Sequence, residues 1–360
     1  MLFRSSHLEA LLPAFDPREV ETLLFVPGPG PLVDTLMRLG VRVEPGAPTR
    51  KLAWGEARAL GARLRGTCDL VHAHGPRVAF WARTVADAAG APFVVATLHE
   101  LRWLSLPPGP RRWAWTALEA FANGRADRLT TSSSAAFAAV RARHPEWASR
   151  LSLLHGTAPL LADPPSAAHA GATTGPLRII CVARFHWVKG HAALLEAVAR
   201  ARATGLDVEL TLVGDGPLED TLRAQADGLG LTAHVHWAGP VFDARAVLPT
   251  QDLYVSASHS EVFGVAPMEA MACGLPVLAP ALGGFLDLIE DGVSGRLVPD
   301  RTSPTWPQAL ADAIVDAARD REALRTMGLA GARRARERFA PSVCAATTTA
   351  LYRTLVPARD

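Results

Sequence analysis

Two rhythms of apolar residues alternate along the chain. Short, nearly continuous apolar runs bounded by Gly, Pro and small polar residues read as buried strands. Longer stretches with apolar residues at i, i+3 and i+4 read as amphipathic helices. Leu8, Leu11, Leu12 and Phe15 open the chain at helical spacing, and Asp16-Pro17 breaks that helix. There follow strand Thr22–Val26, helix Pro31–Leu39, strand Val41–Val43, helix Gly55–Arg65, strand Leu70–His74, helix Arg77–Ala89 and strand Phe93–Thr97. A helix from about Arg111 to Asn123 and a strand near Arg128–Thr131 complete this half. Ala158–Gly175 is rich in Pro, Ala and Gly without periodicity and reads as a linker. Beyond it come strand Leu177–Ala183, helix His191–Ala203, and strands Glu209–Val213, His234–Trp237, Leu253–Val255, Val277–Ala279 and Gly295–Val298. Helices Trp306–Ala318, Arg321–Phe339 and Pro341–Leu355 end the chain. Strands alternating with helices predict α/β domains with doubly wound parallel sheets. A length of 360 residues points to two of them: residues 1–157, a linker 158–175, and residues 176–339, with a last helix over 340–360.

One stretch carries most of the chemistry, Ser256 to Pro276. A buried strand ends in small polar residues, a loop passes through Gly264, and a helix is expected from Pro267, where proline suits the first helical position. Gly274 and Pro276 stop it before strand Val277–Ala279. In an open parallel sheet ligands sit beyond the carboxyl ends of the strands. A glycine loop opening a helix there presents unpaired N–H groups and the positive end of the helix dipole, which suit a phosphate. Glu261 and Glu269 flank this loop. Either one alone reads as a solvated helix-face charge. Together, bracketing a phosphate-type loop in an apolar segment, they read as hydrogen-bond acceptors for hydroxyl groups of the same ligand. Phosphate between hydroxyl-rich groups describes a nucleotide sugar.

A second anion site is expected at Arg184-Phe-His-Trp-Val-Lys-Gly190, a basic loop between a strand end and a helix start. Arg184 can fork onto phosphate oxygens and Lys189 supplies a point charge. Cations at such a site would stabilise negative charge that grows on a bound phosphate.

These residues carry a resemblance. Glu261, Phe263-Gly264, Glu269-Ala-Met-Ala-Cys-Gly274 and Pro276-Val277 resemble the E-x7-E signature of retaining glycosyltransferases with the GT-B fold, in particular glycosyltransferase family 4. Arg184 to Gly190 resembles that family's R-x4-K-G diphosphate clamp, and Gly214-Asp-Gly-Pro217 its G-x-G-P strand end. The resemblance implies two Rossmann-like domains facing a central cleft. It implies that Glu269 binds ribose hydroxyls, that Glu261 binds donor-sugar hydroxyls, and that the backbone amides of Gly264 and Val265 hold phosphate beside Phe263. Gly214 and Val241 would approach the nucleotide through their backbone. Arg184, Lys189 and helix N-termini would stand in for a divalent cation, so no metal and no cofactor are expected.

In the first half, His72-Ala-His74-Gly75 and Thr97-Leu-His99-Glu100 close two strands. His72 and His74, two apart on a strand, share one face, but no third ligand is assignable, and a metal is not expected. A lone histidine is ordinarily a satisfied structural residue. The resemblance, to the family's H-x-H-G and T-x-H-[ED] strand ends, implies that His99 contacts the donor sugar near its reacting carbon and that His74 and Gly75 line the acceptor side. His155-Gly156 stands where the family commonly has Asn-Gly. A larger departure is at the start: the family opens with a strand and a Gly-Gly loop before its first helix, and Met1 falls just before that helix. An incorrectly assigned start is the favoured explanation. The rival is a truncated, non-catalytic nucleotide-sugar-binding partner subunit; an epimerase of similar fold is disfavoured by the paired R-x4-K and E-x7-E motifs.

Composition changes this picture little. A formal charge of +2 and the lack of a long basic run give no reason to expect nucleic acid. Cys68, Cys181, Cys273 and Cys344 are widely spaced and read as buried thiols in a reducing compartment. Neither a secretory signal nor a membrane-length apolar run occurs, which points to the cytoplasm, with peripheral contact at the inner membrane face as an option. Arg102 to Trp115 mixes Arg with Trp. Packing of its tryptophans on the domain is the favoured reading, and contact with an acceptor or a membrane interface the functional one. The expected partners are a nucleoside-diphosphate sugar and a glycan, lipid-linked or small-molecule acceptor.

Overall fold

The computed structural model describes residues 3–48, 53–101, 103, 106, 109–160, 175–241, 243–299 and 301–356. It divides into two compact units, one of Phe3–Ala158 with the segment from Pro341 onward, the other of Pro159–Ala340. Most of the predicted linker, residues 161–174, lies outside the described residues.

The first unit contains α1 (Phe3–Leu11), β1 (Leu23–Val26), α2 (Pro31–Arg38), β2 (Arg42–Pro45), α3 (Trp54–Arg63), β3 (Leu70–His74), α4 (Pro76–Ala89) and β4 (Phe93–Leu98). After these come α5 (Pro110–Gly124), β5 (Arg128–Thr131), α6 (Ser134–Arg143) and β6 (Leu151–Leu153). The order β3-β4-β5-β6 forms one parallel sheet and β1-β2 a second, separate one. Strand β4 lies inside the larger sheet and is buried along almost its whole length, as a continuous apolar run requires. Helix α4 begins at Pro76 and closes on Gly90, whose N–H reaches Ala86 and Asp87. Helix α13 (Pro341–Arg353), last in sequence, also packs here. Cys344 and Ala345 bury against Leu11 and Phe15, and Arg353 pairs with Glu19 at 2.6 Å.

The second unit holds β7 (Leu177–Val182), α7 (His191–Ala203), β8 (Val208–Val213), α8 (Glu219–Gly228), β9 (Val235–Gly239), β10 (Leu253–Val255), α9 (Val265–Ala272), β11 (Val277–Pro280), α10 (Phe285–Leu288) and β12 (Gly295–Val298). Helices α11 (Trp306–Arg319) and α12 (Arg321–Phe339) follow. The strands form one six-stranded parallel sheet in the order β12-β11-β10-β7-β8-β9. Its core joins Leu177, Ile179 and Leu210 of the sheet to Leu194, Leu195 and Val198 of α7 and to Trp306 and Leu310 of α11. The doubly wound α/β architecture expected from the alternating pattern is the one observed.

Three thiols, Cys181, Cys273 and Cys344, are buried and Cys68 is only half-buried; all are free. Burial pushes the Cys181 and Cys273 thiols up to about 12, so they are protonated packing residues. Among the described residues no helix is long and apolar enough to cross a membrane.

Candidate active site

In the second unit the carboxyl ends of β7, β8 and β10 bring three segments together. Beyond β7, Arg184 is exposed while Phe185 is buried, and Phe185 N–H donates to Asp215 O at 2.7 Å. That bond lays the Gly214–Pro217 turn against the Arg184 loop. A short 3-10 turn, Trp187–Lys189, then leads to Gly190 and α7. His186 accepts from Val188 N–H at the start of this turn. Its own basicity is held below the ordinary value by partial burial and by Arg184 and Lys189 beside it, a sign of positive potential in the loop.

The loop from Ser256 to Gly264 meets this basic segment. His259 N–H donates to Val188 O at 2.7 Å, and Lys189 Nζ donates to Glu261 Oε2 at 2.6 Å. Both side chains of that pair are 18% exposed. Two glycines make the approach possible. A Cβ on Gly190, which has φ +68°, would fall 1.9 Å from Ala257 O, and one on Gly283, with φ +54°, would fall 1.9 Å from Glu261 O. Gly284 N–H donates to that same Glu261 carbonyl at 3.0 Å. Arg301 closes the other side, its Nε donating to Ala257 O at 3.1 Å and its guanidinium lying 3.0 Å from His259 Nε2. Lys189 thus holds the carboxylate of Glu261, while Gly283 and Gly284 fix its main-chain carbonyl.

Gly264 adopts φ +100° and α9 begins at Val265, not at the expected Pro267. The left-handed glycine completes the loop two residues earlier, and proline is tolerated inside the first turn because its missing N–H has no helical partner there. Glu269 sits half-buried on α9. Phe263 is 5% exposed and packs on Phe339 with ring centroids 5.7 Å apart, so what it offers a ligand is backbone. Val241 is half-buried just past β9.

The first unit has its own cluster at the ends of β3 and β4. His74 Nδ1 lies 3.1 Å from His99 Nε2, and Gly75 follows with φ +101°. His72 Nδ1 is 2.6 Å from the Tyr352 hydroxyl and its Nε2 is 2.7 Å from Thr97 Oγ1. Thr97 Oγ1 in turn lies 2.8 Å from Thr130 Oγ1. The third histidine, unassignable from spacing alone, is His7 on α1. Its ring lies 5.8 Å from that of His74 and 5.4 Å from that of His99. A cavity of about 10 Å³, roughly the size of one water, opens among His7, His72, His74 and His99.

Candidate ligand nitrogens of His7, His74 and His99 lie within 4.8 Å of one another, close enough to share a metal ion. The same rings also make hydrogen bonds. Thr157 N–H donates to His7 Nδ1 at 3.2 Å, so the neutral ring carries its proton on Nε2 and offers no lone pair there. His74 and His99 hydrogen-bond to each other. Burial lowers the His7 pKa to about 4 and the His72 pKa to about 3, leaving both neutral near pH 7.

The tryptophans of the Arg102–Trp115 segment split. Trp103 is buried, whereas Trp113 is 75% exposed, against the expectation that they pack on the domain. Residues 102, 104–105 and 107–108 lie outside the described residues. His7, Arg301 and Tyr352 escaped the sequence reading. No local signal marks these three.

Both units are similar to known proteins. Residues 166–334 match the family described as glycosyl transferases group 1, and residues 5–157 match the glycosyl transferase 4-like domain. The phosphatidyl-myo-inositol mannosyltransferase of Mycobacterium leprae is 37% identical over 170 residues, 46% of this chain and 43% of the relative. The D-inositol 3-phosphate glycosyltransferase of Mycobacterium marinum is 30% identical over 280 residues, covering 73% of this chain and 59% of the relative. The first of these alignments therefore spans less than half of the relative's length. Among solved structures, Alr3699/HepE of Anabaena in complex with UDP-glucose superposes with a TM-score of 0.78 at 20% identity, covering 98% of this chain and 96% of that one. With a glycosyl transferase 4-like domain before residue 158 and a group 1 domain after it, the chain belongs to the GT-B glycosyltransferases of the family 4 type.

Proposed function

We propose that this chain transfers a sugar from a nucleoside-diphosphate sugar to an acceptor hydroxyl, with retention of anomeric configuration and without a metal ion. The observation that carries the reading is the Arg184–Gly190 loop locked onto the Glu261 loop, with Lys189 Nζ on the Glu261 carboxylate. Cations, backbone N–H groups at the start of α9 and a fixed carboxylate lie side by side, as a diphosphate bonded to a polyhydroxylated ring requires.

In this reading Arg184 and Lys189 bind the diphosphate, with the amides of Gly264 and Val265. Glu269 takes the ribose hydroxyls, Glu261 takes hydroxyls of the donor sugar, and Gly214 and Val241 line the nucleotide through their backbone. The bond between the anomeric carbon and the diphosphate oxygen breaks, and the diphosphate leaves with the electron pair. The cations stabilise that developing charge. The acceptor oxygen forms the new bond from the same face and passes its proton to the departing diphosphate oxygen, while positive charge on the sugar ring passes through an oxocarbenium-like state. In the same reading His99 would contact the donor sugar near its reacting carbon, and His74 and Gly75 would line the acceptor side. The names of the mycobacterial relatives favour an inositol-type acceptor.

The test mixes the full chain with UDP-, GDP- or ADP-sugars, with and without myo-inositol, its 3-phosphate or phosphatidylinositol, and follows nucleotide release. Release from one donor class, abolished by Glu261→Ala and unchanged by a chelator, is the expected result. Release insensitive to Glu261→Ala would remove that carboxylate from the site. Activity lost to the chelator and restored by Mg2+ or Mn2+ would overturn the metal-free part. The anomeric configuration of the product, read by NMR coupling constants, tests retention.

A further inference from the structure

We propose that the outward face of α5 is a docking surface for a bilayer bearing anionic lipids. Helix α5 is amphipathic in the reverse sense of a helix lying on a core beneath water. Its inner side buries Glu119 and Asn123, at 4% and 3% exposure. Its outer side shows Trp113 at 75%, Phe121 at 53% and Leu118 at 36%, with Ala114 and Ala117 exposed between them. At about 100° per residue these five side chains fill an arc of roughly 140°. The face continues sideways, because Phe121 meets the half-buried Phe80 at 5.8 Å and Phe80 meets Trp54 at 5.2 Å. Contiguous apolar surface of this kind marks an interaction site.

Charge decides what covers it. Arg111 and Arg112 stand at the start of the helix and Arg125 at its end, the Arg125 guanidinium 5.6 Å from the Phe121 ring. The one carboxylate of the helix, Glu119, is buried on the opposite side. An apolar face rimmed by arginines repels a second copy of itself and attracts anionic headgroups. Trp and Arg also have the mixed character that suits headgroup depth. This surface is independent of the proposed transfer reaction and would bring the first unit to an acceptor or product held in a membrane.

The test is cosedimentation of the full chain with vesicles of phosphatidylcholine alone and of phosphatidylcholine with phosphatidylglycerol. Binding is expected only to the anionic vesicles. Trp113→Ser with Phe121→Ser should weaken it at least about tenfold, as loss of inserted apolar area predicts. Arg111→Glu with Arg112→Glu should do the same, and the wild-type interaction should weaken with salt. Unchanged melting temperatures would show that the variants fold, and unchanged nucleotide release without vesicles would separate this surface from sugar transfer. Absence of vesicle binding, binding that the variants leave intact, or a dimer that the Trp113/Phe121 variant dissolves would each overturn the proposal.

Discussion

Lys189 Nζ stands 2.6 Å from Glu261 Oε2, although 72 residues separate the two along the chain. Both side chains are mostly shielded from water, at 18% exposure, so the charge-assisted bond is stronger than a surface pair and orients both groups. The pair links the proposed diphosphate cation to the proposed sugar-binding carboxylate. A donor entering here would meet the two as one unit.

Lys189→Ala should therefore lower kcat/KM by the equivalent of roughly 1.5–3 kcal/mol, the range for a hydrogen bond to a charged group. Glu261→Gln should cost turnover more than free-nucleotide affinity. The double variant should cost clearly less than the sum of the two, because each single change leaves its partner unpaired. Additive losses in a double-mutant cycle would show that the two side chains act separately.

Gly283→Ala tests the support behind Glu261. Its new Cβ would meet the Glu261 carbonyl at 1.9 Å in a backbone with φ +54°, so the loop must move. Gly292 has a similar φ of +76° but open space around it, which leaves Gly292→Ala with only the left-handed strain of about 1–2 kcal/mol. Melting temperature should fall for both. Nucleotide release should collapse only for Gly283→Ala; equal activity in the two variants would detach the glycine from the site.

Acid should weaken the first unit through its buried histidines. Their folded pKa values, about 4 for His7 and about 3 for His72, lie below the unfolded value of about 6.5. Above pH 6.5 both states are neutral at these rings. As pH falls the unfolded chain takes up protons first, so stability drops from about pH 6.5 to about 4 for His7 and about 3 for His72. The His7 share is roughly 3 kcal/mol. His7→Asn keeps an acceptor for Thr157 N–H and removes the titration. Denaturant melts between pH 7 and 4.5 should show a shallower decline for this variant; an unchanged slope would clear His7 of the effect.

Tyr352→Phe removes the hydroxyl 2.6 Å from His72 Nδ1 and leaves a buried polar atom unpaired. A loss of about 1–3 kcal/mol is expected, felt in the first unit, where α13 packs. Nucleotide affinity, which the proposal places in the second unit, should stay at the wild-type level in calorimetry. A matching loss of nucleotide affinity would tie Tyr352 to the donor site.

The α/β class and most elements were determined by the sequence alone, because a buried parallel strand is a local property. Leu70–His74, Arg128–Thr131 and His191–Ala203 are observed with the limits their apolar patterns predict, and Phe93–Leu98 needs no partner to declare itself a covered strand. The E-x7-E and R-x4-K-G spacings were equally local, each lying within one loop and helix start. Only the tertiary structure decided what depends on distant segments meeting. Lys189 pairs with Glu261 because neighbouring β7 and β10 end side by side, and His7 joins His74 and His99 because α1 crosses the same strand ends. The start of α9 was set by the conformation of Gly264 rather than by Pro267. The exposure of Trp113 was undetermined for a related reason. Helix α5 has apolar residues around most of its circumference, so periodicity cannot say which side meets the domain, and the burial of Glu119 and Asn123 settles it.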